Sequence, residues 1–269
     1  MRLSEARVVL TGASGGIGMA IAEALCSHGA EVLAVSRHQE PLIPLQKQYP
    51  HLLHWVKADL TTHEGRQHVL MTAQAMEGVN LLINAAGVNH FAMLEQLPGR
   101  EVDAMLNINL HAPILLTGLM LPMLRSVKCA MIVNVGSTFG SIGYAGYATY
   151  CASKFALRGF SEALRRELAD TRVGVLYVAP RATRTAMNGP AARALNTALK
   201  SNEDDPQTVA AAVVSAIVGN QRELYLGWPE RFFVRLNGLL PAVVDRSLRK
   251  HLPLIRRLSN TPFEEKPKP

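Results

Sequence analysis

Short apolar runs return at intervals along the chain, separated by longer stretches in which apolar residues recur every three or four positions. ARVVLT, EVLAVS, HLLHWVKAD, VNLLINAAG, CAMIVNVGS, RVGVLYVAP and ELYLG read as seven strands, most of them ending in Gly, Asn, Ser or Pro. GMAIAEALCSHG, residues 62–77, the long apolar run Pro98–Leu124, the segment bearing Tyr150 and QTVAAAVVSAIVG read as helices. Asp205 and Pro206 open the last of these, with aspartate as the cap and proline at the first helical position. Strands alternating with helices predict an α/β fold with a parallel sheet. Residues 186–205, Ala- and Asn-rich and only weakly helical, are expected to form a mobile lid.

Ligands of open α/β sheets bind beyond the carboxyl ends of strands, and three strand ends here carry suitable residues. TGASGGIG leads from the first strand into a helix, where glycines permit close backbone approach and unpaired amides with a positive dipole end favour a pyrophosphate. The second strand ends in Ser36 and Arg37, and a guanidinium there suits a phosphate group. The fifth ends at Gly136 and Ser137, followed by Tyr150 and Lys154. Residues four apart share a helix face. A tyrosine hydroxyl ionises near pH 10, and a cation about 4 Å away at an effective dielectric of about 20 favours the phenolate by about 4 kcal/mol. The spacing thus predicts a phenol made more acidic by Lys154. Tyr and Lys four apart also occur on many solvated helices; Ser137 at a strand end and the Gly-rich loop give the pair its weight.

TGASGGIG at 11–18, Asp59 with Leu60, NAAG at 84–87, Asn109, Ser137, Tyr150 with Lys154 and PRATRT at 180–185 stand in one order. In this set the chain resembles the single-domain short-chain dehydrogenases/reductases over about residues 5–228. The resemblance implies a Rossmann-like, doubly wound, parallel seven-stranded sheet of order 3-2-1-4-5-6-7. It also implies an oxidoreductase that interconverts a ketone or aldehyde and an alcohol with a nicotinamide dinucleotide. Gly12, Ser14, Gly15, Gly16, Ile17 and Gly18 would form the cofactor loop, and Asp59 and Leu60 would meet the adenine. Asn84, Ala85, Ala86 and Gly87 would follow the adenine ribose and the core of the sheet, although Asn84 reads equally well as a tie between strands. Pro180, Thr183 and Thr185 would lie near the nicotinamide, with Thr185 on its carboxamide. Ser137 would hold the carbonyl oxygen and Tyr150 would protonate it. Lys154 would hold the nicotinamide ribose, and Asn109 would extend a proton relay. Arg37, where a NAD enzyme usually presents an acidic residue, predicts NADP over NAD, with Ser36 as a helper. Arg181 replaces a family glycine, which either bends its loop differently or puts a cation near cofactor or substrate.

Composition narrows the remaining classes. The 269 residues are 48% hydrophobic and 18% charged, neither disordered nor membrane-spanning in character. Leu110–Leu124, broken by prolines, is expected to be too short for a bilayer. The residues before the first strand show no secretory signal pattern, which predicts a cytoplasmic protein. Cys26, Cys129 and Cys151 lack CxxC spacing, and no HExxH occurs, so free thiols and no metal are expected. Net charge is +7, of which residues 229–269 supply +5; nucleic-acid signatures are missing, so no such partner is expected. The catalytic and dinucleotide-binding unit is expected over 1–228, a basic amphipathic extension over 229–260, and a disordered tail over 261–269. The extension either packs on the domain or a partner subunit, or lies on an anionic membrane surface. Phe91, Met93, Phe139, Ile142, Tyr144 and Met187 are the expected pocket walls for a hydrophobic or acyl-type small molecule, with His90 and Tyr147 as added polar contacts. A homodimer or homotetramer is expected from the family. Outside catalysis, two other classes fit: a dinucleotide-binding sensor or scaffold, and a peripheral lipid-binding protein.

Overall fold

The computed structural model describes residues 1–259; the tail expected to be disordered, 261–269, lies outside the described residues. Seven parallel strands, β1 (Arg7–Thr11), β2 (Glu31–Ser36), β3 (Leu53–Lys57), β4 (Leu81–Asn84), β5 (Ala130–Val135), β6 (Val173–Ala179) and β7 (Glu223–Tyr225), form one sheet. Their order is β3-β2-β1-β4-β5-β6-β7. The order expected from the resemblance is thus the order observed.

The central strands are mostly apolar because both faces of the sheet are covered, as parallel sheets require, and the buried amides of Asn84 and Asn134 bond each other. Val8 and Leu10 of β1 face one core and Val9 the other. The first core is closed by α1 (Gly16–Ser27), α2 (Ile43–Gln48) and, further along the chain, Pro206–Val218. The second is closed by α3 (His63–Ala75), by the helical run Gly99–Ser126 and by the C-terminal half of the Tyr150 helix.

The run Gly99–Ser126 is one continuous helical path of three pieces: α4 (Gly99–Leu106), a π-helical turn (Asn107–His111) and α5 (Ala112–Ser126). At 28 residues it is long and apolar enough by itself to cross a bilayer, which corrects the expectation drawn from its inner segment alone. Its apolarity has another use: Leu116, Met120 and Leu124 are fully buried against the sheet.

The Tyr150 helix, α6 (Ala148–Glu167), is followed by α7 (Pro190–Ala198) within the lid segment and by α8 (Pro206–Val218). Pro206 occupies the first turn of α8 as expected, but Asp205 makes no capping bond. Its carboxylate instead pairs with Arg184, 2.6 Å away. After β7 the chain forms α9 (Glu230–Leu239), α10 (Pro241–Arg249) and α11 (Leu252–Ser259). These pack on the domain through Val234, Val244 and Ile255, all buried. Asn237 Nδ2 donates to the Ser141 carbonyl at 2.9 Å, and the Tyr144 hydroxyl lies 3.3 Å from His251 Nδ1.

Candidate active site

The loop after β1 turns at Gly12, whose φ of +67° and tight approach to the Ala86 backbone exclude a side chain. A Cβ at Gly18 would overlap the Gly12 carbonyl oxygen, so the helix start is drawn close under the loop. Gly15 and Gly16 are exposed, Ser14 and Ile17 half-buried, and the first amides of α1 have no partner within the helix. This bare cradle at a helix N-terminus fits a pyrophosphate. The Thr185 side chain lies over it, with Cγ2 2.7 Å from where a Gly16 Cβ would be.

Around this cradle several expected cofactor residues have internal duties. Thr11 Oγ1 accepts from the amides of Ala85 and Ala86 at 3.1 and 3.2 Å. Asn84 Nδ2 donates to Thr117 Oγ1 and Asn134 Oδ1, so the strand-tying role is the one the geometry supplies. Ser36 Oγ donates to the His38 carbonyl and accepts from the Trp55 indole, which commits the hydroxyl to shaping the end of β2. Arg37 is exposed beside Asp59. Burial acts to raise the Asp59 carboxyl, but two hydrogen bonds from Thr61 and the Arg37 charge outweigh it and hold it below its usual value. Leu60 is buried, with its carbonyl taken by Arg66. Pro180 accepts from both the amide and hydroxyl of Thr138, and Thr183 Oγ1 donates to the Arg181 carbonyl.

Ser137 follows β5, and its backbone is held by Tyr177 of β6, whose hydroxyl donates to the Ser137 carbonyl. Tyr177 was not among the expected site residues; a large polar aromatic in the middle of an aliphatic strand is the signal that marks it. Ser137 Oγ accepts from the Phe139 amide at 3.1 Å and stands beside the Tyr150 hydroxyl, whose ionisation it favours. Lys154 Nζ donates to the Val135 carbonyl at 3.0 Å and stands 5.8 Å from the Tyr150 ring centroid. Asn109, in the π-helical turn, bonds both the amide and carbonyl of Val88 and reaches Ser153 Oγ at 3.1 Å. A Cβ at Gly87 would stand 3.2 Å from Asn109 Oδ1 and 3.6 Å from Lys154 Nζ, so these groups converge on one bare stretch of backbone. Four residues scattered over 46 positions are thus brought to the carboxyl edge of β4 and β5.

The electrostatics correct one expectation. Burial raises the Tyr150 hydroxyl to about 12, against the Ser137 bond that lowers it, and burial pulls the Lys154 ammonium down to about 8. Both groups are nearly closed off from water, and desolvation disfavours each charged form. The ammonium is bonded to a carbonyl rather than to the phenol oxygen, so its charge does not acidify Tyr150.

Beside Tyr150 four of the six expected apolar walls meet, whereas Ile142 and Met187 lie outside the cluster. Phe91, Phe139, Tyr144 and Tyr147 form ring contacts at centroid separations of 5.0–6.3 Å, with Met93 packed among them. Leu195 and Leu199 of α7 and Leu254, Ile255 and Leu258 of α11 complete the cluster. These were missed as pocket residues, although their amphipathic spacing is visible in the chain. His90 pairs instead with Glu101, 3.6 Å away, and Met187 is exposed at the edge of the site.

Arg181 points away from this cluster. It forms ion pairs with Asp204 and Glu230 at 2.7 and 3.3 Å, joining the loop after β6 to the residues just before α8 and to the start of α9.

Residues 6–196 match the family described as short chain dehydrogenase. The chain belongs to it. An uncharacterized oxidoreductase of Bacillus subtilis, YxnA, is 32% identical over 93% of this chain and 73% of its own length. The 3-oxoacyl-[acyl-carrier-protein] reductase FabG of Salmonella typhimurium is 30% identical over 80% of this chain and 85% of its own. Among solved structures, a short chain dehydrogenase from Burkholderia cenocepacia in complex with NADP superposes with a TM-score of 0.79 at 26% identity. That match covers 92% of this chain and 99% of the other. This short-chain dehydrogenase therefore carries the family fold through its whole sheet, with three further helices packed on it.

Proposed function

We propose that the chain is an NADP(H)-dependent carbonyl reductase, working reversibly on a hydrophobic ketone or aldehyde. The observation that carries the reading is the Ser137–Tyr150 hydroxyl pair beside buried Lys154, between a phosphate-binding loop and an aromatic cluster. When bound, the dinucleotide supplies the hydride. Ser137 holds the carbonyl oxygen. Tyr150, protonated far above neutral pH, gives its proton to that oxygen as negative charge develops, so that carbonyl, hydride and proton together make the alcohol. Lys154 holds the cofactor ribose, and Asn109 keeps the Gly87–Val88 backbone in place beside it.

Preference for the 2′-phosphorylated cofactor rests on Arg37, exposed at the end of β2 and free of the internal bonds that occupy Ser36. The NADP-bound structural relative supports the cofactor class, and the acyl substrate of the Salmonella relative supports an apolar or acyl-type substrate. Assembly into a homo-oligomer through α5 and α6 is supported by Phe155, exposed on α6, and by Gly118 and Gly159, which face open space. Leu116 and Leu157, by contrast, are core.

A paired titration with NADPH and NADH at one salt concentration tests the reading. Binding of NADPH at least tenfold tighter, about 1.4 kcal/mol, is expected, followed by NADPH oxidation with medium-chain and aromatic ketones. Equal affinities would remove the NADP preference. Binding of neither would remove the oxidoreductase reading.

A further inference from the structure

We infer that the outer face of α9 and α10 seats on an anionic lipid surface. The inner faces of these helices are anchored by Val234, Val244 and Asn237, yet a band of large apolar side chains is left on the outside. Trp228 is 73% exposed, Phe232 49%, Leu239 80%, Leu240 54% and Val243 53%. Phe232 and Leu239 lie two turns apart on α9, and Trp228, just ahead of the helix, is in ring contact with Phe232 at 6.1 Å. Such side chains bury readily at the boundary of headgroups and acyl chains.

The rim of the band is cationic. Arg231, Arg235, Arg246, Arg249 and Lys250 are all exposed, and among the described residues no acidic side chain pairs with them. Residues 228–259 carry seven Lys/Arg against Glu230 and Asp245, and Glu230 is already held by Arg181. Two copies of this surface would bring like charges together, whereas an anionic leaflet complements them. The apolar band and basic rim thus select lipid over a second copy. The inference uses none of Ser137, Tyr150 and Lys154 and stands apart from the proposed reaction.

The test is sedimentation of the full chain with phosphatidylcholine vesicles and with vesicles containing one-third phosphatidylglycerol. Partitioning is expected to be at least tenfold stronger on the anionic vesicles and to weaken in high salt. It should fall at least tenfold both in Arg231→Glu/Arg235→Glu/Arg246→Glu and in Trp228→Ser/Phe232→Ser/Leu239→Ser. The substituted side chains are exposed or half-exposed, and thermal melts check that each variant is folded. Tryptophan emission should shift to the blue on binding and cease to shift in Trp228→Phe while that variant still pellets. Failure to bind either vesicle, equal binding to both, or full binding by both triple variants would overturn the inference. So would a concentration-dependent dimer that disappears in the apolar variant with no vesicle binding, since a second copy would then cover the band.

Discussion

The Arg181 guanidinium grips Asp204 with two nitrogens, Nη2 to Oδ1 at 2.7 Å and Nε to Oδ2 at 3.1 Å. The residue that replaces a family glycine is therefore a fastener between the loop after β6 and the end of the segment 186–205, rather than a cation aimed at the cofactor. Both side chains are largely shielded from water. Arg181→Ala is expected to lower the unfolding free energy by about 2–4 kcal/mol, because charged bonds are lost and a half-buried carboxylate is left unpaired. Urea melts of Arg181→Ala, Asp204→Asn and the double variant should give a coupling of at least about 1 kcal/mol. Additive effects would show that the pair does not act as one.

Tyr150→Phe should keep the aromatic packing and the cofactor cradle while removing the proton donor. NADPH affinity is expected to stay within about twofold and kcat to fall by about a hundredfold or more. Turnover at the wild-type rate would end the assignment of Tyr150 as the acid.

Lys154 sets the pH dependence. Its ammonium, lowered to about 8 by burial, loses its proton as pH rises through that value, while Tyr150 stays protonated to about 12. Carbonyl reduction should therefore decline above about pH 8, and Lys154→Arg, which keeps its charge, should remove that decline in whatever activity it retains.

The same residue makes an opposite prediction for stability. Below about pH 8 it is charged in both folded and unfolded chains, and the burial penalty is fully present. Between about 8 and 10.5 the folded chain sheds the proton first, so this contribution to stability rises with pH. Lys154→Met should stabilise the protein at pH 7 by on the order of 2 kcal/mol and flatten that rise, as denaturant melts at pH 7 and 9.5 would show.

Arg37→Asp should invert the electrostatics at the end of β2. The ratio of NADPH to NADH affinity is expected to fall at least tenfold, about 1.4 kcal/mol, in the same fluorescence titration that compares the two cofactors. An unchanged ratio would place selection elsewhere.

The central strands are legible as apolar runs because a parallel sheet covered on both sides leaves few polar positions in them, whereas the edge strands β3 and β7 are part-exposed and carry His54, Lys57 and Glu223. Asn109 was legible as an anomaly, a poor helix former in an apolar helix, and it falls within the π-helical turn. What was hidden is what depends on where side chains end. The double engagement of the Ser36 hydroxyl by the His38 carbonyl and the Trp55 indole spans separate strands and a turn. The choice of Asp205 for Arg184 over its own helix end is a tertiary preference. At Tyr150 and Lys154, spacing revealed neighbours but not how deeply both are buried, and burial decides their protonation.

The aromatic cluster beside Tyr150 joins side chains of α6 to Ile255 of α11, 105 residues beyond Tyr150. The surroundings of the proposed proton donor are thus encoded far from it in the sequence, and a substitution in α11 reaches them without touching a strand or Tyr150 itself.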